Sequence, residues 1–522
     1  VSYDQVARPT SKTMRVALII IFVVLFLGMF SRTMNQPLYN DEHMYISAGV
    51  LAHNNEVYMD FAYLQMPYLP IVYEAIYGVT GTSHYLLWGR MCSLALMLLA
   101  IVLIFLISYR LSKDLILSMV FLLLFALNQA VIHVLPLAWN QVMPLTFSIL
   151  AFYLFIRGLS KANPPILCVF MAGVCIAIAV GTKLTYAPLI LAFPVVSLFI
   201  PSSLPRRKRA LKLFLPIVAG LVVGLLPALV ILVKNGWNLF LFNNLGYHLA
   251  NTAWREAQEY ASGMSLQAKT RYVWEMLGWP CNVLLLVALC FVLTRLITGI
   301  KRQDGRQAQL LRAEMILSST LAVLMAVVAL QPRPLFAHYF AAPVPFIVIL
   351  VCCCYIAIPV ANRGAVRALL VCVVIITSVF SGPRLLKHIH NLYNVNAWTC
   401  ISIHHTAQII RERIGAFDSE DKVATLSPVY AIEAGLPIYK ELATGPFLYR
   451  VGDLIPDEMR RTCVGTSMKT LSALLEADPP KAIFVGFERE LDLPFIEYAE
   501  ANEYEKIEED YDGGILYIRQ DN

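Results

Sequence analysis

The chain has 522 residues, a formal net charge of +6, 58% apolar side chains and only 15% charged ones, with a mean hydropathy of +0.65. This composition lies outside the soluble globular class, and the chain has no clustered basic face with interleaved aromatics of the kind nucleic acid requires, so no nucleic-acid partner is expected. Charge is divided unevenly: 23 of the 35 acidic residues fall from Arg384 onward, giving that part a net −9 against +15 before it.

A bilayer core of about 30 Å takes roughly 20 helical residues, and apolar runs of about that length recur along the first three quarters of the chain. The first, Val16 to Phe30, follows Arg8, Lys12 and Arg15. It lacks a small-residue cleavage site and reads as an uncleaved anchor. Further runs cover Leu87–Ser108, Leu115–Leu127, Val131–Ile156, Ile166–Val180, Leu184–Ile200, Leu213–Val233, Val283–Ile300, Met315–Leu330, Tyr339–Val360 and Ala365–Phe380. The fold class expected is a polytopic α-helical membrane protein of about eleven spans, not a membrane β-barrel.

The short basic loops alternate with the others. Arg110 and Lys113, Arg157 and Lys161, RRKR at 206–209, Lys301, Arg302 and Arg306, and finally Arg363 and Arg367 all fall on one side. The positive-inside rule makes that side cytoplasmic, and RRKR a contact for anionic membrane lipid. The loops 31–87 and 234–280 and the tail are then extracytoplasmic, as expected of an integral protein of a bacterial inner membrane.

Five of the twelve acids upstream of Arg384 lie between Asp41 and Glu74. The stretch 42–53 reads as a short helix lying along the interface, and Tyr63, Tyr68, Tyr73 and Tyr77 fit an aromatic belt. The 234–280 loop, with Trp237, Trp254, Trp274 and Trp279, reads as carrying a second interfacial helix. Beyond the last span, TAQIIRERI, SMKTLSALLEA and FIEYAEANEY read as helices, and KVATLS, KAIFVGF and GGILYIRQ as strands. The expected division is a transmembrane domain, 1–382, and a small α/β domain, 383–522. Cys352 to Cys354 sit in an apolar run as small hydrophobes. Cys400 and Cys463 read as free thiols, with a disulfide the alternative if the tail is extracytoplasmic.

Taken in order, these pieces resemble the GT-C glycosyltransferases, in the branch of protein O-mannosyltransferases and lipid A aminoarabinose transferases. Asp41-Glu42 follows the first span, Tyr58 and Asp60 precede Pro67, and Gly89-Arg90-Met91 opens the second span. Gly181-Thr182-Lys183 closes the fifth, His338-Tyr339 with Pro343 and Pro345 opens the tenth, and the tail ends in a LYIR strand. The resemblance implies transfer of a sugar from a polyprenyl-phosphate donor to a lipid, glycan or protein acceptor on the outer membrane face. The chain departs from the pattern at Gln65 and Met66, where a lysine is common, and at Asn140, where many members carry aspartate. In metal-dependent oligosaccharyltransferase relatives the loop acids help hold a divalent cation. Here His43 takes the place of the second aspartate, which leaves a metal, and any cofactor, open.

Transfer to a hydroxyl needs a base within hydrogen-bond reach of the acceptor proton, and desolvation can tune a carboxylate for that. The resemblance favours Asp41 as base; an N-cap for the following helix is the plainer alternative. Glu42 would orient the acceptor or Asp41, or serve the first helical turn. Asp60 would bind sugar hydroxyls or support the loop. The leaving phosphate calls for cations, and Lys183, Arg333 and His338 are the candidates, with snorkelling or helix capping the alternatives. Arg90, substrate-binding or paired to a loop carboxylate, belongs near the site either way. Asn140 reads as an interhelical hydrogen-bonding group. A transporter or flippase of lipid-linked sugars is the rival class, but it favours repeats and midplane charges, which are absent here.

Overall fold

The computed structural model describes residues 12–159, 164–201, 204–258, 265–300, 312–418 and 420–520. Arg8, Lys161, Lys301, Arg302 and Arg306, which enter the loop topology, lie outside these residues. The helices α1 (Lys12–Asn35), α2 (Asn40–Leu51), α3 (Tyr68–Thr80), α4 (Tyr85–Ser112), α5 (Leu115–Ala126), α6 (Gln129–Val134), α7 (Val142–Leu159), α8 (Ile166–Thr182) and α9 (Pro188–Phe199) come first. After them run the helices Leu215–Asn235, Pro280–Ile300, Arg312–Ala329, Val344–Ala357 and Arg363–Leu385. Among the described residues seven segments are long and apolar enough to cross a membrane, and four shorter apolar helices bring the set to the eleven expected.

Glycines decide where these helices meet. A Cβ on Gly173 of α8 would lie 2.2 Å from the Ile217 carbonyl oxygen, and one on Gly220 would lie 2.0 Å from that of Phe170. Gly173 and Ala177 lie four residues apart on α8 and pack against the helix Leu215–Asn235, Gly173 on the backbone of Ile217 and Leu221 and Ala177 on Gly224. Small residues at that spacing let two backbones touch where lipid supplies no hydrophobic drive. Gly181 carries the ring of Tyr68, whose hydroxyl donates to the Gly224 carbonyl and so closes the same seam.

The fourth expected run is not continuous. It breaks after Val134 into a turn holding Pro136, Trp139 and Asn140, and α7 begins at Val142. Proline disfavours helix at the residue before it and supplies no donor. Asn140 therefore sits in the break and not within a helix, and its Nδ2 is buried without a partner.

The first loop is covered by other parts of the protein. Eight consecutive residues of α2, Glu42 to Gly49, are buried, because α3 and α4 pack on one side and the tail on the other. Tyr63, Tyr68, Tyr73 and Tyr77 are likewise buried and form core in place of an aromatic belt. Asn235 donates to the Val57 carbonyl and Asn244 to the Tyr58 hydroxyl, at 2.8 and 3.2 Å, which docks the loop on the 235–244 segment. Of RRKR, Arg209 donates to the carbonyls of Leu198, Pro201 and Leu204, so it staples its own loop; Arg206, Arg207 and Lys208 are exposed.

Beyond Leu385 the tail forms a four-stranded sheet in the order β1 (Val423–Ala424), β2 (Ala482–Val485), β4 (Gly514–Ile518), β3 (Glu505–Tyr511). β1 runs parallel to β2, and the other pairs are antiparallel. β3, the acid-rich EKIEEDY, is absent from the sequence reading. The Asp512-Gly513 turn that closes its hairpin has positive φ at both residues, the geometry that two-residue hairpins favour. The helix Thr399–Ile414 packs against the helix Pro428–Glu433. Cys400 and Cys463 are both buried free thiols.

Candidate active site

The site begins with Glu42. Arg90, on α4, forks onto it: Nε donates to Oε1 at 2.8 Å and Nη2 to Oε2 at 2.7 Å, and both side chains are wholly buried. The Ala138 N–H, freed by the break after α6, donates to Oε1 at 2.8 Å. Tyr39 N–H donates to Oε2 at 3.1 Å, closing the first turn of α2. Arg90 completes its set on the carbonyls of Thr33, Gln36 and Pro37. A buried pair offsets its desolvation only when the remaining donors and acceptors are satisfied, and here they are. Glu42 and Arg90 thus have every polar group engaged within the protein. They are struts that fix α2 between α1, α4 and the break, and neither is left to touch a substrate.

Asp41 is the opposite case. The N-cap of α2 is Tyr39, so Asp41 does not cap the helix. It is half-buried, and among the described residues neither it nor Lys183 makes an ion pair within 4.0 Å. Burial pushes the Asp41 carboxyl up to about 6, against the pull of Lys183, Arg450 and Arg255, with Glu42 adding to the rise. Lys183 follows the last residue of α8, where the helix gives way to extended backbone. Its Nζ donates to Gln141 Oε1 at 2.5 Å and lies 5.0 Å from the centre of the Tyr339 ring. Burial brings its ammonium down to about 7, and Asp41 opposes that shift.

Beneath Lys183 lies a small hollow lined by Gln141, Lys183, Tyr186, Met325, Ala329 and His338. His338 stands 5.0 Å from Trp139, edge to face. The structure therefore brings Asp41, Lys183 and His338 to one end of the bundle. Arg333 is exposed; its carbonyl accepts from Thr252 at 3.2 Å, and among the described residues no bond joins its guanidinium to the Asp41 site. Asp60 closes a local turn, accepting from Glu56 N–H at 2.7 Å, which is the loop-supporting role.

Two arginines complete the site. Arg255, on the helix Tyr247–Ala257, packs over Phe336 at 5.6 Å. Arg450 comes from the tail helix Pro446–Val451, between Trp254 and Phe447 at 5.1 and 4.9 Å. Arg450 Nη2 donates to Asn251 Oδ1 at 2.8 Å, while its Nε is buried without a partner. Neither carries a motif. The 234–280 loop offered aromatics but no reason to single out Arg255, and Arg450 is one of many tail charges. Asn40, next to Asp41, donates to Glu488 Oε1 of the tail at 2.7 Å. His43 faces away, accepting from Val429 N–H at 3.4 Å, and burial holds its imidazole down at about 3. Among the described residues the loop acids and His43 do not converge as metal ligands.

Among the described residues, eleven apolar helices, a buried first-loop helix carrying adjacent acids and an α/β tail packed on that helix make up a fold shared with solved membrane-protein structures. The structure of ArnT from Cupriavidus metallidurans bound to undecaprenyl phosphate matches with a TM-score of 0.60 and 13% identity, covering 97% of this chain and 98% of that one. The oligosaccharyltransferase of Archaeoglobus fulgidus, tethered to an acceptor peptide, matches with a TM-score of 0.49 and 11% identity over 96% of this chain and 74% of that one. No protein-family profile and no curated protein sequence matches the chain.

Proposed function

We propose that the protein is a membrane glycosyltransferase that moves a sugar from a polyprenyl-phosphate donor to a hydroxyl of a cell-envelope acceptor at the extracytoplasmic face, with inversion. The carrying observation is the unpaired Asp41 carboxylate set opposite Lys183, Arg255 and Arg450. Charges of opposite sign close enough to shift one another suit a molecule that needs both. In the reaction the acceptor oxygen bonds to the anomeric carbon as the bond from that carbon to the phosphate oxygen breaks. The acceptor proton passes to the Asp41 carboxylate, and the electron pair leaves on the phosphate. Lys183, with Arg255, stabilises that charge where it develops. The full-length resemblance to ArnT in fold supports the same reading.

The experiment is transfer from a radiolabelled polyprenyl-phosphate sugar to envelope acceptors by purified protein in nanodiscs. Wild type is expected to transfer and Asp41→Asn to lose transfer while still binding the donor. Full activity in Asp41→Asn would remove the base, and movement of the lipid-linked sugar across the bilayer without a new glycosidic bond would replace the transferase with a flippase.

A further inference from the structure

Away from Asp41, three side chains from three elements converge where the first loop meets the tail. His84 precedes α4, His404 lies on the helix Thr399–Ile414, and Glu433 ends the helix Pro428–Glu433. One donor atom from each lies within 4.8 Å of the other two. Glu433 is 1% exposed and accepts from Leu86 N–H at 2.7 Å on Oε1, while Oε2 lies 2.6 Å from His404 Nδ1. The two imidazoles approach to 3.7 Å between ring centres, tilted by 35°. His84 Nδ1 is shut off from solvent and has no hydrogen-bond partner.

Ordinary packing leaves this arrangement half explained. A single His404–Glu433 ion pair accounts for the carboxylate but not for His84, whose nitrogen is desolvated with nothing in return. Two protonated rings at that separation would repel each other. We infer that His84, His404 and Glu433 form a binding site for a divalent transition metal, with zinc the best fit, that ties the first loop to the tail. Two imidazoles and one carboxylate are a borderline-soft donor set, and three protein ligands leave the fourth tetrahedral position to water. Metal–donor bonds of about 2.0–2.2 Å set tetrahedral donors about 3.3–3.6 Å apart. The Glu433–His404 contact would open slightly and the His84 nitrogen would gain its missing partner. The Leu86 N–H bond to Oε1 would orient the liganding carboxylate from behind, as such outer partners do.

The consequence is mechanical. His84 lies in the first loop just ahead of α4, and the same tail helix that carries Glu433 covers α2. An ion there would hold the tail down over the helix that bears Asp41. The inference does not rest on the transferase reading.

The test uses the whole protein in nanodiscs, stripped with a chelator and titrated with zinc chloride, with bound metal measured after desalting. A parallel titration with cobalt chloride reports geometry through visible absorption. Wild type is expected to retain one zinc per chain, to give the intense bands of tetrahedral cobalt and to unfold at a higher temperature with zinc. His84→Ala, His404→Ala and Glu433→Gln should each weaken metal binding at least about tenfold, and His405→Ala, at the exposed neighbour, should not. Substoichiometric zinc in wild type, or His84→Ala binding as wild type does, overturns the inference. If a variant fails to fold, the wild-type cobalt spectrum decides alone: octahedral or no binding counts against the site.

Discussion

Arg90 holds Glu42 by two parallel hydrogen bonds of 2.8 and 2.7 Å in full burial, and this pair leaves the neighbouring Asp41 as the unpaired acid of the site. Removing one partner strands a buried charge together with the backbone groups that depend on it. Glu42→Gln and Arg90→Met are each expected to destabilise the protein by about 3–5 kcal/mol. Thermal unfolding in detergent checks this, and loss of activity without loss of stability would instead make either residue a substrate ligand.

The two shifted groups set a pH profile. Asp41 must be ionised to act as base, so kcat/KM rises as pH passes about 6. Lys183 must be protonated to meet a phosphate, so kcat/KM falls as pH passes about 7. The expected result is a narrow bell for the free enzyme. Lys183→Arg should remove the alkaline limb, because guanidinium stays charged throughout, and keep the acid limb in place.

Arg450 lowers the Asp41 carboxyl from across the interface with the tail. Arg450→Gln is therefore expected to move the acid limb above about 6. A role confined to packing between Trp254 and Phe447 would reduce stability and leave that limb where it is.

Gly220 meets the Phe170 carbonyl with no room for a Cβ, whereas Gly364 has nothing within 4 Å. Gly220→Ala should lower the unfolding temperature through overpacking worth about 1–3 kcal/mol. Gly364→Ala, in the first turn of the helix Arg363–Leu385, should be neutral or slightly stabilising.

Much of the frame is readable without coordinates. Each span is a local property, the length of an apolar run against the thickness of a bilayer, and among the described residues all the runs but the fourth, which is broken at Pro136, emerge near their observed positions. The break at Pro136 was also there to be found, since proline acts on its own turn. The acid-rich β3 was missed because its composition suits solvent, although Asp512-Gly513 marks its hairpin. The tyrosines of the first loop misled for a different reason. Tyrosine suits both a membrane interface and a buried contact with one polar end, and only the docked tail decides between them.

The chain by itself determined that two adjacent acids follow the first span in a protein poor in acids. It could not say which of them is free. Adjacent helical residues point about 100° apart, so one must face Arg90 and the other the cleft. Arg90 lies 48 residues from Glu42, and Lys183, Arg255 and Arg450 reach Asp41 from a span end, a loop helix and the tail. Electrostatic fields act through space, not along the chain. The site therefore exists only once helices that meet at Gly173 and Gly220, and a tail packed on α2, have put those charges at one end of the bundle.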